Sequence, residues 1–77
     1  MAFKTDQELY STIGKNIKFY RKKAGLTQIQ LAEEAQCSLS YITKIEAPSC
    51  DKSISLSTLN QIANVLNIEI SALLERK

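Results

Sequence analysis

The sequence predicts an all-α domain, and three observations carry that reading. Apolar residues recur at three- and four-residue intervals in successive segments. Thr27, Ser38 and Ser55 each stand where a helix would need an N-cap. No stretch alternates apolar and polar residues over a useful strand length, and no repeat is visible. With 77 residues the chain can hold one core, burying about 60–65% of the surface its unfolded form exposes. The whole chain, 1–77, therefore reads as a single domain, with 1–8 as an N-terminal extension and 9–74 as the core.

Asp6 and Glu8 carry the negative charge that a helix N-terminus favours, so a first helix is expected to begin near one of them and run to Ala24. Leu9, Ile13, Ile17 and Tyr20 form its core stripe, and Gly25 ends it. Thr27 with Gln30 three residues on is a capping box, in which hydroxyl and amide satisfy each other's orphan backbone donors. A second helix should start there, with Leu31, Ala32 and Ala35 inward and Ala32 small enough for another helix to cross closely. Ser38 caps a third, Leu39 to Glu46, whose Tyr41, Ile42 and Ile45 form the packing seam. Its other face holds Leu39, Ser40, Thr43 and Lys44. Residues Ala47 to Ile54 are rich in turn formers, and Pro48 helps stop the third helix. Ser55 caps a fourth helix in which Leu56, Leu59, Ile62, Ala63 and Leu66 follow helical spacing, and Asn67 suits a left-handed C-cap. A fifth helix runs from Ile70 to about Glu75.

Several function classes are disfavoured by composition. There is no histidine, no glycine-rich phosphate loop and no clustered carboxylate pair, so no enzyme chemistry suggests itself. Two cysteines without histidine do not make a zinc site, and neither metal nor cofactor is expected. A disulfide between Cys37 and Cys50 would have to span a helix of about eight residues, ~12 Å, whereas bridged Cα atoms lie within roughly 7 Å. Cys37 reads as a small buried hydrophobe at a turn and Cys50 as a loop thiol. A redox role for either cysteine is the sharper alternative, since Cys37 lies beside a helix N-terminus, which lowers a thiol pKa. No apolar run approaches the roughly 18–20 residues of a membrane span and no signal-peptide pattern opens the chain, so the expected compartment is the cytoplasm.

The net charge of +2 is too small to argue for nucleic acid, but its distribution is uneven. Lys15, Lys18, Arg21, Lys22 and Lys23 lie in a stretch, Lys15 to Leu26, that holds no acid. Taken alone such a run is a solvated helix face. It stands, however, just before two short capped helices joined by a turn of about three or four residues, the signature of a helix-turn-helix. In such a tandem the second helix enters the DNA major groove, and its N-terminal residues reach base edges.

Three ordered blocks extend this to a family. They are I-G-K-N-I-K-F-Y-R-K-K-A-G-L-T-Q from Ile13, L-A-E-E-A-Q-C-S-L-S-Y-I-T-K-I-E from Leu31, and S-L-S-T-L-N-Q-I-A-N-V-L-N-I from Ser55 with the closing A-L-L. Over Ile13 to Leu74 the chain resembles the lambda repressor/Cro-type, or XRE, helix-turn-helix family. The resemblance implies a compact five-helix lambda repressor-like DNA-binding domain with the helix-turn-helix at helices 2 and 3. It implies a transcriptional regulator of double-stranded DNA, binding as a homodimer on a palindromic operator.

Carried over by position, the resemblance makes Leu39, Ser40 and Lys44 base readers, with Thr43 a further candidate. Lys44 would address guanine O6 and N7, Ser40 either base type, and Leu39 a thymine methyl. Thr27, Gln28, Tyr41 and Lys52 match phosphate-contacting positions, although capping alone explains Thr27. Packing of its ring explains Tyr41 equally well. Gln28 would also prop the first side chain of the recognition helix. Arg21 and Glu46 match a partly buried structural salt bridge. Ile70, Leu73 and Leu74 are the expected dimer interface, or else they close the monomer core.

The chain departs from the family pattern in three places. Gln36 stands where glycine is usual; a left-handed backbone would cost it about 1 kcal/mol, so a somewhat altered turn is expected. The loop from Ala47 to Ile54 is about two residues longer than usual and lacks the frequent glycine after Glu46. Phe19 and Ile29 place apolar groups where charge is common, either as a partner surface or as isolated exposed residues. The alternative to DNA is therefore a protein-interaction module, antitoxin-like or otherwise, that engages a partner protein through this fold.

Overall fold

In the computed structural model, which describes residues 2–47 and 53–76, all regular structure is helical. Pro48, Cys50 and Lys52, with the rest of loop residues 48–52, lie outside the described residues. Helix α1 spans Asp6–Lys23, and its N-cap is Thr5, whose hydroxyl accepts from the Glu8 N–H. It closes over Ala24 onto Gly25 at φ 75°, a left-handed conformation that glycine adopts without steric cost. Helix α2, Gln28–Ala35, starts with both halves of the capping box: the Gln30 N–H donates to Thr27 at 3.1 Å, and the Thr27 N–H donates to Gln30 Oε1 at 2.9 Å. Helix α3, Leu39–Glu46, begins on Ser38, which accepts from Tyr41 N–H. Helix α4, Leu56–Leu66, begins on Ser55 and ends on Asn67 at φ 57°.

Three sequence expectations need correction here. The turn between α2 and α3 is not altered by Gln36. That residue takes the left-handed conformation itself, φ 59° and ψ 39°, and the Cys37 N–H still reaches Ala32 O at 2.9 Å. Leu56 obeys the spacing of α4 yet is 75% exposed. It occupies the first helical position, where a side chain tilts back past the helix end and meets no neighbour. The fifth helix is a 3-10 helix, Ile70–Leu74, so the described residues contain four α-helices. Five residues with no side-chain cap form too short a piece to repay α-helix nucleation, and the Ala72 N–H bonds Glu69 O in the tighter i to i+3 pattern.

The core is one cluster drawn from all five elements, with Ile17, Leu31, Ile42, Ile45, Ile62 and Leu73 its fully buried large side chains. Helix α1 packs on α3 and on the 3-10 helix, and α2 packs on α3 and α4. Two α1 residues that the apolar stripe conceals set this arrangement. Gly14 lies where any Cβ would overlap the Ile45 carbonyl oxygen, so its lack of a side chain lets α1 and α3 cross in backbone contact. Asn16 is 3% exposed and donates through Nδ2 to Leu73 O at 2.9 Å and to Glu75 O at 2.6 Å, tying the 3-10 helix to α1. A second tie joins the ends of the chain: Arg76 meets Glu8 at 3.2 Å, the Ala2 carbonyl at 3.0 Å and the Phe3 ring at 4.3 Å.

Candidate nucleic-acid interface

Helix α3 is sealed on one side and open on the other. Ile42 and Ile45 are wholly buried and Tyr41 is half-buried, whereas Leu39, Ser40, Thr43 and Lys44 are all exposed on the remaining face. The separation follows from 3.6 residues per turn: the inward seam fixes which four residues face out.

The C-terminal end of α3 is held by a buried polar cluster. Arg21 donates from Nε to Glu46 Oε2 at 2.8 Å and from Nη2 to Oε1 at 3.0 Å, a two-pronged contact matched to the planar guanidinium. Its third nitrogen, Nη1, donates to Leu26 O at 2.8 Å. Gln28 completes the cluster by donating from Nε2 to Glu46 Oε1 at 3.1 Å. Helix α1, the turn before α2 and the end of α3 are thereby fixed by one carboxylate. Gln28 is thereby held by Glu46, and it lines the same groove as Leu39. Gln28 keeps its carbonyl oxygen and one N–H uncommitted in this cluster.

Beside the exposed face runs an open groove lined by Arg21, Leu26, Thr27, Gln28, Ile29, Leu39 and Thr43. Thr43 does not direct its hydroxyl hydrogen into it, because Oγ1 donates to the Leu39 carbonyl at 2.9 Å. Phe19 does not line this groove. It packs edge-on against Tyr20 at 5.0 Å with Lys23 6.0 Å from its ring, while Ile29 lines the groove.

The basic run of α1 divides. Arg21 is buried in the cluster, and Lys15, Lys18, Lys22 and Lys23 are exposed but line no part of the groove. Lys44 is the cation that α3 itself carries. Leu73 is removed from the candidate interface residues: at 0% exposure it closes the monomer core, because the Asn16 tether draws the 3-10 helix inward. Ile70 is half-buried and Leu74 is exposed. Cys37 is half-buried at the turn, its Sγ 3.5 Å from Ala35 O, and burial pushes its thiol pKa up. A raised pKa runs against the lowered one that a redox role would use. Among the described residues no group of acidic, histidine or cysteine side chains could hold a metal, and no helix is long and apolar enough to cross a membrane.

Sequence reasoning missed Gly14, Asn16 and the part Gln28 plays in the buried cluster. A small residue and an amide interrupting the stripe of Ile13, Ile17 and Tyr20 were the signals for the first two.

A family model described as helix-turn-helix matches residues 17–73. The chain belongs to that family. Its relatives include the immunity repressor protein of Bacillus phage phi105, 47% identical over 62 residues, a match that takes in 80% of this helix-turn-helix chain and 42% of the repressor. They include the HTH-type transcriptional regulator SinR of Bacillus subtilis (strain 168), 35% identical over 65 residues, with 84% of this chain and 58% of SinR covered. This chain thus spans about half the length of these two relatives. Among solved structures it is similar to the crystal structure of SinR, the master regulator for biofilm formation, in complex with DNA: TM-score 0.76, 35% identity, 82% of this chain and 98% of that one.

Proposed function

We propose that this chain is a sequence-specific DNA-binding transcriptional regulator whose helix-turn-helix is α2 with α3. The observation that carries the reading is the exposed quartet Leu39, Ser40, Thr43 and Lys44 on a helix otherwise locked into the core and pinned by the Arg21–Glu46–Gln28 cluster. A rigid short helix offering apolar, hydroxyl and cationic groups on one face suits base-edge readout in a major groove. SinR, a relative at this similarity, has been solved with DNA bound. Thr27 and Gln28, at the start of α2, and Tyr41 are the phosphate contacts in this reading, and Lys44 the principal base reader. One such helix covers few base pairs, so two copies on a palindrome follow, with recognition helices about 34 Å apart and Ile70 and Leu74 at the contact between copies. The cytoplasm is where that target would be met.

Selection from a randomised duplex pool at near-physiological salt tests this. The expected product is a two-fold symmetric site with half-sites about 10 bp apart, weakened by Lys44→Ala and by salt with a log–log slope near −0.9 per phosphate neutralised. No enrichment by the folded protein would overturn the reading. It would turn attention to a partner protein, for which the exposed Phe19 and Leu56 give a specific reason. Capture of such a partner should survive Lys44→Ala and fail on Phe19→Ala.

A further inference from the structure

We infer that Ile29, on the non-recognition helix of the tandem, is a specificity-determining residue. With Leu39 and the Thr43 γ-methyl it forms a three-sided apolar seat for the C5-methyl group of a pyrimidine. The inference rests on the DNA-binding reading above and deepens it.

Three observations converge on that seat. Ile29 is 55% exposed and Leu39 43% exposed, yet both line one groove with Thr43. Thr43 spends its hydroxyl hydrogen on the Leu39 carbonyl, which makes an otherwise polar residue a source of a methyl wall. The groove's other lining residues are Leu26, Thr27, Gln28 and Arg21: Thr27 and Gln28 bring hydroxyl and amide groups, and the buried Arg21 guanidinium is spent on Glu46 and the Leu26 carbonyl.

Glu46 already neutralises Arg21, so the charge that favours an anionic occupant is Lys44 on the exposed face of α3. The occupant must present a small apolar group from within a phosphate-rich surface. In the major groove of duplex DNA that group is the C5-methyl of thymine, and the identical group is carried by 5-methylcytosine. Leu39 is the first residue of α3, the end that reaches base edges, and Ile29 supplies the facing wall from α2. The methyl then loses water on several sides rather than on one, and its removal should weaken binding roughly fourfold per half-site, about 15-fold for a symmetric pair. A lone Leu39 would give a smaller effect and none that depends on Ile29.

The test uses the whole chain and a duplex obtained by selection. Deoxyuridine replaces thymine one position at a time, symmetrically in both half-sites, and Kd is measured for wild type, Ile29→Ala and Leu39→Ala. Ile29 is exposed, so its replacement leaves the core intact. One position is expected at which methyl removal costs wild type about 15-fold and Ile29→Ala much less. A second arm puts cytosine or 5-methylcytosine at that position opposite guanine. Recovery of affinity by 5-methylation alone shows that the seat reads the methyl from either source, and recovery with thymine only restricts it to thymine. If duplexes are selected and bound but no methyl removal depends on Ile29, this inference is wrong and the DNA-binding reading stands. If the folded protein selects no duplex, both fall.

Discussion

Removing Glu46 should be among the most damaging single changes in this domain, although its side chain makes no apolar contact that the core requires. The side chains of Arg21 and Glu46 are 8% and 2% exposed. Glu46→Ala would leave the guanidinium buried with only the Leu26 carbonyl as partner and strip Gln28 of its acceptor. Breaking a buried pair from one side costs about 3–5 kcal/mol, since the remaining charge keeps its desolvation penalty. A 77-residue domain holds roughly 4–12 kcal/mol in all, at about 0.05–0.15 kcal/mol per residue. With a urea m-value of about 1 kcal/mol per M, a 3 kcal/mol loss moves the unfolding midpoint down by about 3 M. The double change Arg21→Met with Glu46→Leu removes both charges, and buried pairs replaced by apolar groups are often neutral. Its cost should therefore fall well below the sum of Arg21→Met and Glu46→Leu alone. Urea unfolding of the wild type, the three singles and the double measures this. A loss under about 1 kcal/mol for Glu46→Ala, or additive losses in the double, would refute the cluster as the anchor of α3.

Gly14→Ala should destabilise by about 1–3 kcal/mol or more in the same assay, because the added methyl meets the Ile45 carbonyl, a backbone atom that cannot rotate away. Gln36→Gly should stabilise by about 1 kcal/mol by relieving the left-handed strain at φ 59°, raising Tm by roughly 4–8 °C; an unchanged Tm would contradict it. In a Cys50→Ser background, Cys37 should be alkylated more slowly near neutral pH than a free thiol, since burial raises its pKa. The sign for stability follows: the unfolded thiol ionises first, so any contribution from Cys37 is complete below the ordinary thiol pKa. It is lost as pH rises toward the raised folded value, and no loss is expected as pH falls.

Helices α2 to α4 and their caps were legible in the sequence because each depends on residues three or four apart, whereas the Thr5 cap of α1 was not read. The Thr27–Gln30 box, the Ser38 and Ser55 caps and the split of α3 into Ile42 and Ile45 against Leu39, Ser40, Thr43 and Lys44 are all of that kind. The Arg21–Glu46 pairing, 25 residues apart, came from the family resemblance and not from any local rule. Tertiary structure alone decided what depends on distant partners. Asn16 reaches Leu73, 57 residues on, and that bond turns an expected interface residue into a core residue. Gly14 matters only because α3 crosses it, and Gln28 turns to Glu46 because Arg21 has already fixed that carboxylate in place. The sequence by itself determined which segments are helical and which face of each is apolar, since periodicity and capping are short-range. Which polar side chains are buried, and which apolar ones remain free to meet a partner, depended on how those faces closed on one another.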